Sequence, residues 1–219
     1  MTTSPVSPRL VKGGIVLLDP TTSAVLKVIS LQYNPDSISR TLQVQGFTES
    51  ADRSEALRLK GPPVETLKVD AEIDAADQLE FPGQNPNSIE AGIFPQLAAL
   101  ELIIYPTSRD LLNNHSLSQS GTLEIAPMEM PLTLFVWSAH RIIPVRITEF
   151  SITEEAFDPS LNPIRAKVSL GMRVLSVTDL GFEHKGGSLY MVYQQQKEQL
   201  AAMSASGGLG GLGISGIPA

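Results

Sequence analysis

The stretch VETLKVDAEID, Val64 to Asp74, alternates without a break. Leu67, Val69, Ala71 and Ile73 share one face and Lys68, Asp70, Glu72 and Asp74 the other, which is the two-residue period of a strand with one side in a core and one in water. RAKVSLGMRV, Arg165 to Val174, repeats the pattern with the opposite charge outside: Ala166, Val168, Leu170, Met172 and Val174 alternate with Arg165, Lys167, Ser169, Gly171 and Arg173. An acidic and a basic wet face are complementary, so the two strands are expected to pair, with each other or between subunits.

LTLFVWSAHRIIPVRITEFSITEEAF, Leu132 to Phe157, predicts a hairpin turning at Ser138-Ala139-His140, its first arm apolar on both faces. In the second arm Ile143, Val145 and Ile147 share one phase while Phe150 and Ile152 take the other. A bulge near Thr148-Glu149 would return them to one side and bend the strand, and Pro144 suits an edge or bulged position. LQYNPDSISRTLQV, Leu31 to Val44, interrupts its alternation at Asn34-Pro35-Asp36-Ser37, a turn-forming run, and is expected to be two strands joined by a tight connection.

Helical patterns are fewer. Pro95 to Ile104 places Leu97, Leu100 and Ile104 on one stripe between Pro95 and Pro106, and Gly92 makes Ser88-Ile89-Glu90 a separate turn. Ser188 to Met203 sets Leu189, Val192, Tyr193, Leu200 and Met203 at helical spacing, followed by a Gly-rich tail. The resulting division is an arm over residues 1–12, a β-barrel domain over 13–182, and a C-terminal helix with a flexible tail over 183–219. The 46–63 loop is long for a compact domain, and such loops are often functional.

The chain has 219 residues, 42% of them hydrophobic, enough for a sizeable core. It has 17 Gly, 16 Pro and no Cys, so it is rich in turns and cannot build disulfides, thiol nucleophiles or Cys-ligated zinc sites. A formal net charge of −7 argues against a general nucleic-acid surface. No apolar run is long enough for a bilayer span and the N-terminus does not read as a signal peptide, so assembly in the cytoplasm is expected, without direct membrane insertion. His115, His140 and His184 lack ligand spacing, and Asn114-His115-Ser116 reads as an exposed polar loop rather than a glycosylation site. Asp70, Glu72, Asp74, Asp77 and Glu80 have no calcium-loop spacing. GLGGLG, Gly208 to Gly213, has neither strand before it nor helix after it, so it is no dinucleotide fingerprint. No catalytic residue, cofactor site or metal site is expected, and the chain reads as a non-enzyme.

Four stretches together carry a resemblance: GGIVLLDP with LQYNPDSISRTLQV; KGPPVETLKVDAEIDAADQLEF; IFPQLAALELIIYP; and EFSITEEAFDPSLNPIRAKVSLGMRVLS. Over roughly residues 13–179 their order resembles the tube-like, baseplate-hub adapter proteins of phage-tail-like contractile injection systems. The resemblance implies a mainly β fold, a tail-tube-like barrel of two packed antiparallel sheets with a flanking helix and a C-terminal helix, assembled as a six-membered ring. It implies a structural role linking the inner tube to the baseplate and spike hub, with tube, spike and baseplate proteins as partners, in a particle assembled in the cytoplasm and then released or membrane-anchored. Many such proteins carry a LysM module after this domain, which this sequence lacks. The alternatives are the main inner-tube protein of such a particle, or a carried effector or small-ligand-binding barrel. Expected interface residues are Arg53, Leu57 and Leu59 of the long loop, Asp70, Glu72, Arg165 and Lys167 of the charged strands, and Tyr190 and Tyr193 of the C-terminal helix.

Overall fold

The computed structural model describes residues 11–46, 58–119, 130–204 and 207–217. Seven strands form one hydrogen-bonded antiparallel sheet: β1 (Gly14–Leu18), β2 (Val25–Ser30), β3 (Ile38–Gln43), β4 (Val64–Asp74), β5 (Leu132–Ser138), β6 (Arg141–Glu154) and β7 (Arg165–Val174), in the order β2-β1-β5-β6-β7-β4-β3. The fold is mainly β with helices, as the sequence pattern implies. The two alternating stretches become β4 and β7 with the expected bounds, and they pair with each other, Asp74 opposite Arg165 and Glu72 opposite Lys167.

The long strand β6 makes one sheet behave as two walls. Its first part, to Val145, pairs with β5, and from Val145 onward it pairs with β7. The register shifts between Ile147 and Glu149, where the change of apolar phase calls for a bulge. Pro144 stands at the handover. Its carbonyl accepts from the Leu175 N–H just past the end of β7, so its missing N–H faces the same side, where the β7 ladder has ended. The two walls, sharing β6, enclose a core built from Ile15, Leu67, Val69, Phe135, Ile143, Val168, Leu170 and Met172.

The 31–44 stretch is not a hairpin. Strands β2 and β3 lie at opposite ends of the sheet order, so the connection between them crosses from one edge to the other. Eight residue steps from Ser30 to Ile38 reach about 29 Å only if fully extended, the same as six strand spacings across a flat sheet, about 29 Å; because the segment bends at Gln32, Tyr33 and Asp36, the sheet must curl. Asn34 spends its side chain on this closure rather than on its own turn. Its Oδ1 accepts from Gly13 N–H at 2.9 Å and its Nδ2 donates to Val11 O at 2.9 Å. Gln32 crosses the seam: its Nε2 donates to Asp74 O at 2.6 Å and its Oε1 accepts from Asp74 N–H at 3.0 Å. A side-chain amide thereby supplies the pair of bonds that a strand neighbour would give.

Between β4 and β5 come short helices α1 (Ala76–Leu79), α2 (Pro86–Ala91) and α3 (Phe94–Glu101), then α4 (Ser108–Gln119). The break after α2 falls at Gly92, whose φ of +56° is a left-handed conformation and whose missing Cβ leaves room for the Pro163 carbonyl. Ile93 N–H donates to that carbonyl at 2.9 Å, tying α3 to the β6–β7 connection. Helix geometry stops after Glu101, so Ile103 enters the core and Ile104, expected on the buried stripe, is exposed. The Asn114-His115-Ser116 segment, expected as a loop, lies within α4. Thr107 precedes it, its Oγ1 accepting from Asp110 N–H at 3.2 Å.

After β7, α5 (Val177–Leu180) starts with a capping box between Ser176 and Asp179, and α6 (Lys185–Ala202) starts on His184, whose Nδ1 accepts from Gly186 N–H at 3.0 Å. The buried face of α6 is Gly186, Gly187, Tyr190 and Tyr193. The expected stripe holds only in part, because Val192, Leu200 and Met203 face solvent. The helix docks by its first half and shares the barrel core. Residues 207–217 are all exposed.

Candidate functional site

Of the expected interface residues, Arg53 and Leu57 lie outside the described residues. Leu59 is exposed and forms an isolated bridge with Gly46, while Lys60 N–H donates to Gln45 O at 2.8 Å, so the base of the long loop is pinched shut. Asp70, Glu72, Arg165 and Lys167 are on the wet face of β4 and β7, where much of their charge is met within the chain. Arg165 Nε donates to Asp74 Oδ2 at 2.6 Å and lies 3.7 Å from Glu72; Lys167 Nζ donates to Glu155 Oε1 at 2.8 Å; Ser169 Oγ donates to Asp70 Oδ1 at 2.6 Å. Hydrogen bonding and attraction to Asp74 raise the Arg165 pKa, and Glu155 acts on Lys167 in the same way. Asp70, Glu72, Lys167 and Ser169, with Ser151 and Thr153 of β6, line a surface recess.

Tyr190 and Tyr193 are corrected as interface residues: both are buried in this chain's own core. Tyr190 packs in the hydrophobic core, and Tyr193 also reaches a buried carboxylate, Glu65. Glu65 shares the parity of Leu67 and Val69, so its side chain goes inward with them, and it is only 3% exposed. Tyr193 OH donates to Glu65 Oε1 at 3.1 Å, Lys197 Nζ donates to Glu65 Oε2 at 3.1 Å, and Arg40 Nε lies 3.6 Å from Oε1. The Lys197 ammonium sits 4.0 Å from the Tyr193 ring centroid. Burial, and then the Glu65 charge and hydrogen bond, push the Tyr193 phenol up to about 12. This cluster fastens α6 to the end of the barrel formed by β3 and β4.

The surface most open to a partner is backbone. Among the described residues β2 is bonded only to β1 and β3 only to β4, and five of the six residues in each are exposed, Val25, Leu26 and Val28 of β2 and Leu42 of β3 among them. Free strand edges with apolar side chains are templates for another strand, and monomeric proteins normally blunt them. The β6–β7 connection is a third projecting feature. Asp158 Oδ1 accepts from Ser160 N–H at 2.7 Å and Asn162 N–H at 2.8 Å, and Oδ2 accepts from Asn162 Nδ2 at 2.9 Å. These bonds, Asn162 first, hold the Asp158 pKa below its ordinary value and fix a tip whose Leu161, with φ +67°, points outward and 77% exposed. The FDPSLNP run is thus legible as one carboxylate organising one loop.

Among the described residues no three His, Asp or Glu are grouped to hold a metal, and no helix is long and apolar enough to cross a membrane. No family model and no curated protein matches the chain. Among solved structures, it is similar to a chain in the virion of a native gene transfer agent particle, with 13% identity, 74% of this chain and 90% of that one covered, and a TM-score of 0.26. A chain from the tail of an empty gene transfer agent particle, refined helically with C6 symmetry, gives 16% identity, the same two coverages and a TM-score of 0.27. Superpositions this shallow assign neither fold nor role.

Proposed function

We propose that this chain is a structural subunit of a phage-tail-like contractile injection particle, assembled as a ring that joins the inner tube to the baseplate and spike hub. The observation that carries the reading is the pair of open edges, β2 and β3, at the two ends of one sheet. A contact in which one patch meets a different patch on the next copy repeats until it closes, which yields rings. The wet face of β4, β7 and β6, with Asp70, Glu72, Ser151, Lys167 and Ser169, supports the reading as a wall suited to a water-filled channel. The sequence resemblance supplies the particle class, and the 183–219 extension favours the adapter ring over the main tube.

The test is to tag the protein in its native cells, identify co-purifying proteins by mass spectrometry and image the eluate by negative stain. Sheathed rods containing few tagged copies are the expected result. Recovery of the protein alone, or with a client outside any particle, refutes the reading in favour of an effector or ligand-binding barrel.

A further inference from the structure

At the mouth of the barrel, beside the Glu65 cluster, a recess of about 190 Å³ is lined by Ile38, Arg40, Leu67, Arg141, Ile143 and Tyr193. Alternation explains how two guanidinium groups come to face a core. Arg40 shares the parity of Ile38, and Arg141 that of Ile143 and Val145, so both stand on the inward faces of their strands where the hydrophobic layer ends.

The charges there do not balance. Arg40 and Lys197 flank one buried carboxylate, Glu65, and Arg141 lines the same recess. Glu65 is already engaged by Tyr193, Lys197 and Arg40, whereas no carboxylate of the described residues stands within ion-pair distance of Arg141. Arg141 nevertheless lies close enough to act electrostatically on the Tyr193 phenol inside the recess. An excess of positive charge at an apolar-walled recess, in a chain of net charge −7, is a cost that a bound anion removes.

We propose that this recess binds a carboxylate with a short aliphatic chain, its two oxygens on the fork of Arg141 with Arg40 adding charge, and its chain against Ile38, Leu67 and Ile143. Arginine presents parallel N–H donors matched to a planar carboxylate, and the three aliphatic side chains reward a few methylenes over a bare ion. The site does not depend on ring assembly.

The experiment is equilibrium dialysis of the full chain against radiolabelled butyrate at constant ionic strength, with acetate and inorganic phosphate as competitors. Expected are saturable binding at one site per chain, weaker competition by acetate than by unlabelled butyrate, and weaker competition still by phosphate. Arg141→Gln is expected to weaken binding at least about tenfold, since a charge-assisted hydrogen-bond pair is lost. Its melting temperature without ligand should not fall, because among the described residues no carboxylate pairs with Arg141. Arg141→Lys keeps the charge without the fork and should bind between the two. Non-saturable uptake, or saturable uptake that Arg141→Gln leaves intact, overturns the proposal, as does phosphate competing better than either carboxylate.

Discussion

Tyr193→Phe removes one oxygen from the clamp between α6 and the barrel and leaves the ring in place. At neutral pH it deletes the bond from Tyr193 OH to Glu65 Oε1, whose next neighbour is Arg40 at 3.6 Å. A hydrogen bond to a buried charged group contributes about 1.5–3 kcal/mol, and in a chain of this size each kcal/mol moves the melting temperature by about 2–4 °C. A fall of about 3–12 °C is therefore expected. The pH dependence gives a sharper check. The phenol's folded-state pKa of about 12 lies above the unfolded value of 10, so its contribution is whole below pH 10 and is lost as pH rises from 10 through 12. At 1.36 kcal/mol per pH unit, the wild-type protein should lose roughly 1 kcal/mol by pH 11 and roughly 2 kcal/mol by pH 12 through this group alone. The phenylalanine variant loses none of that. Urea unfolding followed by the fluorescence of Trp137, the only tryptophan, which stacks on Phe135, measures both proteins from pH 8 to 11. The stability gap should shrink by roughly 1 kcal/mol by pH 11; a gap that stays constant or widens refutes the assignment of the buried phenol to Glu65.

Three further outcomes are expected. Asp158→Asn should lower the melting temperature at neutral pH and leave it unchanged in strong acid: the carboxylate's depressed pKa means its contribution is present above the ordinary value of about 3.9 and lost as pH falls below it. A thermal-denaturation pH series showing an equal deficit at every pH would contradict this. Gly92→Ala should cost at least about 2 kcal/mol, because an alanine there must accept positive φ and displace the Pro163 carbonyl; a loss below about 0.5 kcal/mol in chemical denaturation would show that the loop gives way freely. Val28→Lys on the exposed face of edge strand β2 should reduce ring formation by mass photometry while moving the melting temperature by no more than about 2 °C; normal rings would show that this edge is not an interface.

The strands that face one core and one solvent layer were legible because alternation fixes them locally. Val64–Asp74 and Arg165–Val174 have the bounds their periodicity gives, and the phase change between Ile147 and Phe150 located the bulge. Partner choice at the sheet edges is a different problem. Asn34-Pro35-Asp36-Ser37 has the composition of a tight turn, but strands β2 and β3 already satisfy one side each against β1 and β4, and the segment between them is used to span the seam. Helix α4 was missed because Ser108–Gln119 buries none of its residues, so it has no apolar stripe; the remaining signal was the Thr107-x-x-Asp110 cap.

The barrel-mouth cluster was legible in part, by a rule that the reading applied to apolar residues and did not extend to charged ones. Counting by twos from Leu67 reaches Glu65, from Ile38 reaches Arg40, and from Ile143 reaches Arg141; each is a charged residue on the core face of a strand. One such residue at a strand end can bend out to water. Three on separate strands cannot be placed together by sequence, because β6 meets the paired strands β3 and β4 only when the two walls that share β6 close on each other. Once they do, a lone arginine at the mouth would have to stay near water. A tyrosine and a lysine from α6 cover the mouth and satisfy Glu65 of β4, and among the described residues Arg141 is left without a partner acid. The same clamp that holds the C-terminal helix in place therefore creates the unbalanced charge on which anion binding rests, so removing Glu65 should loosen α6 and also raise the positive charge of the recess.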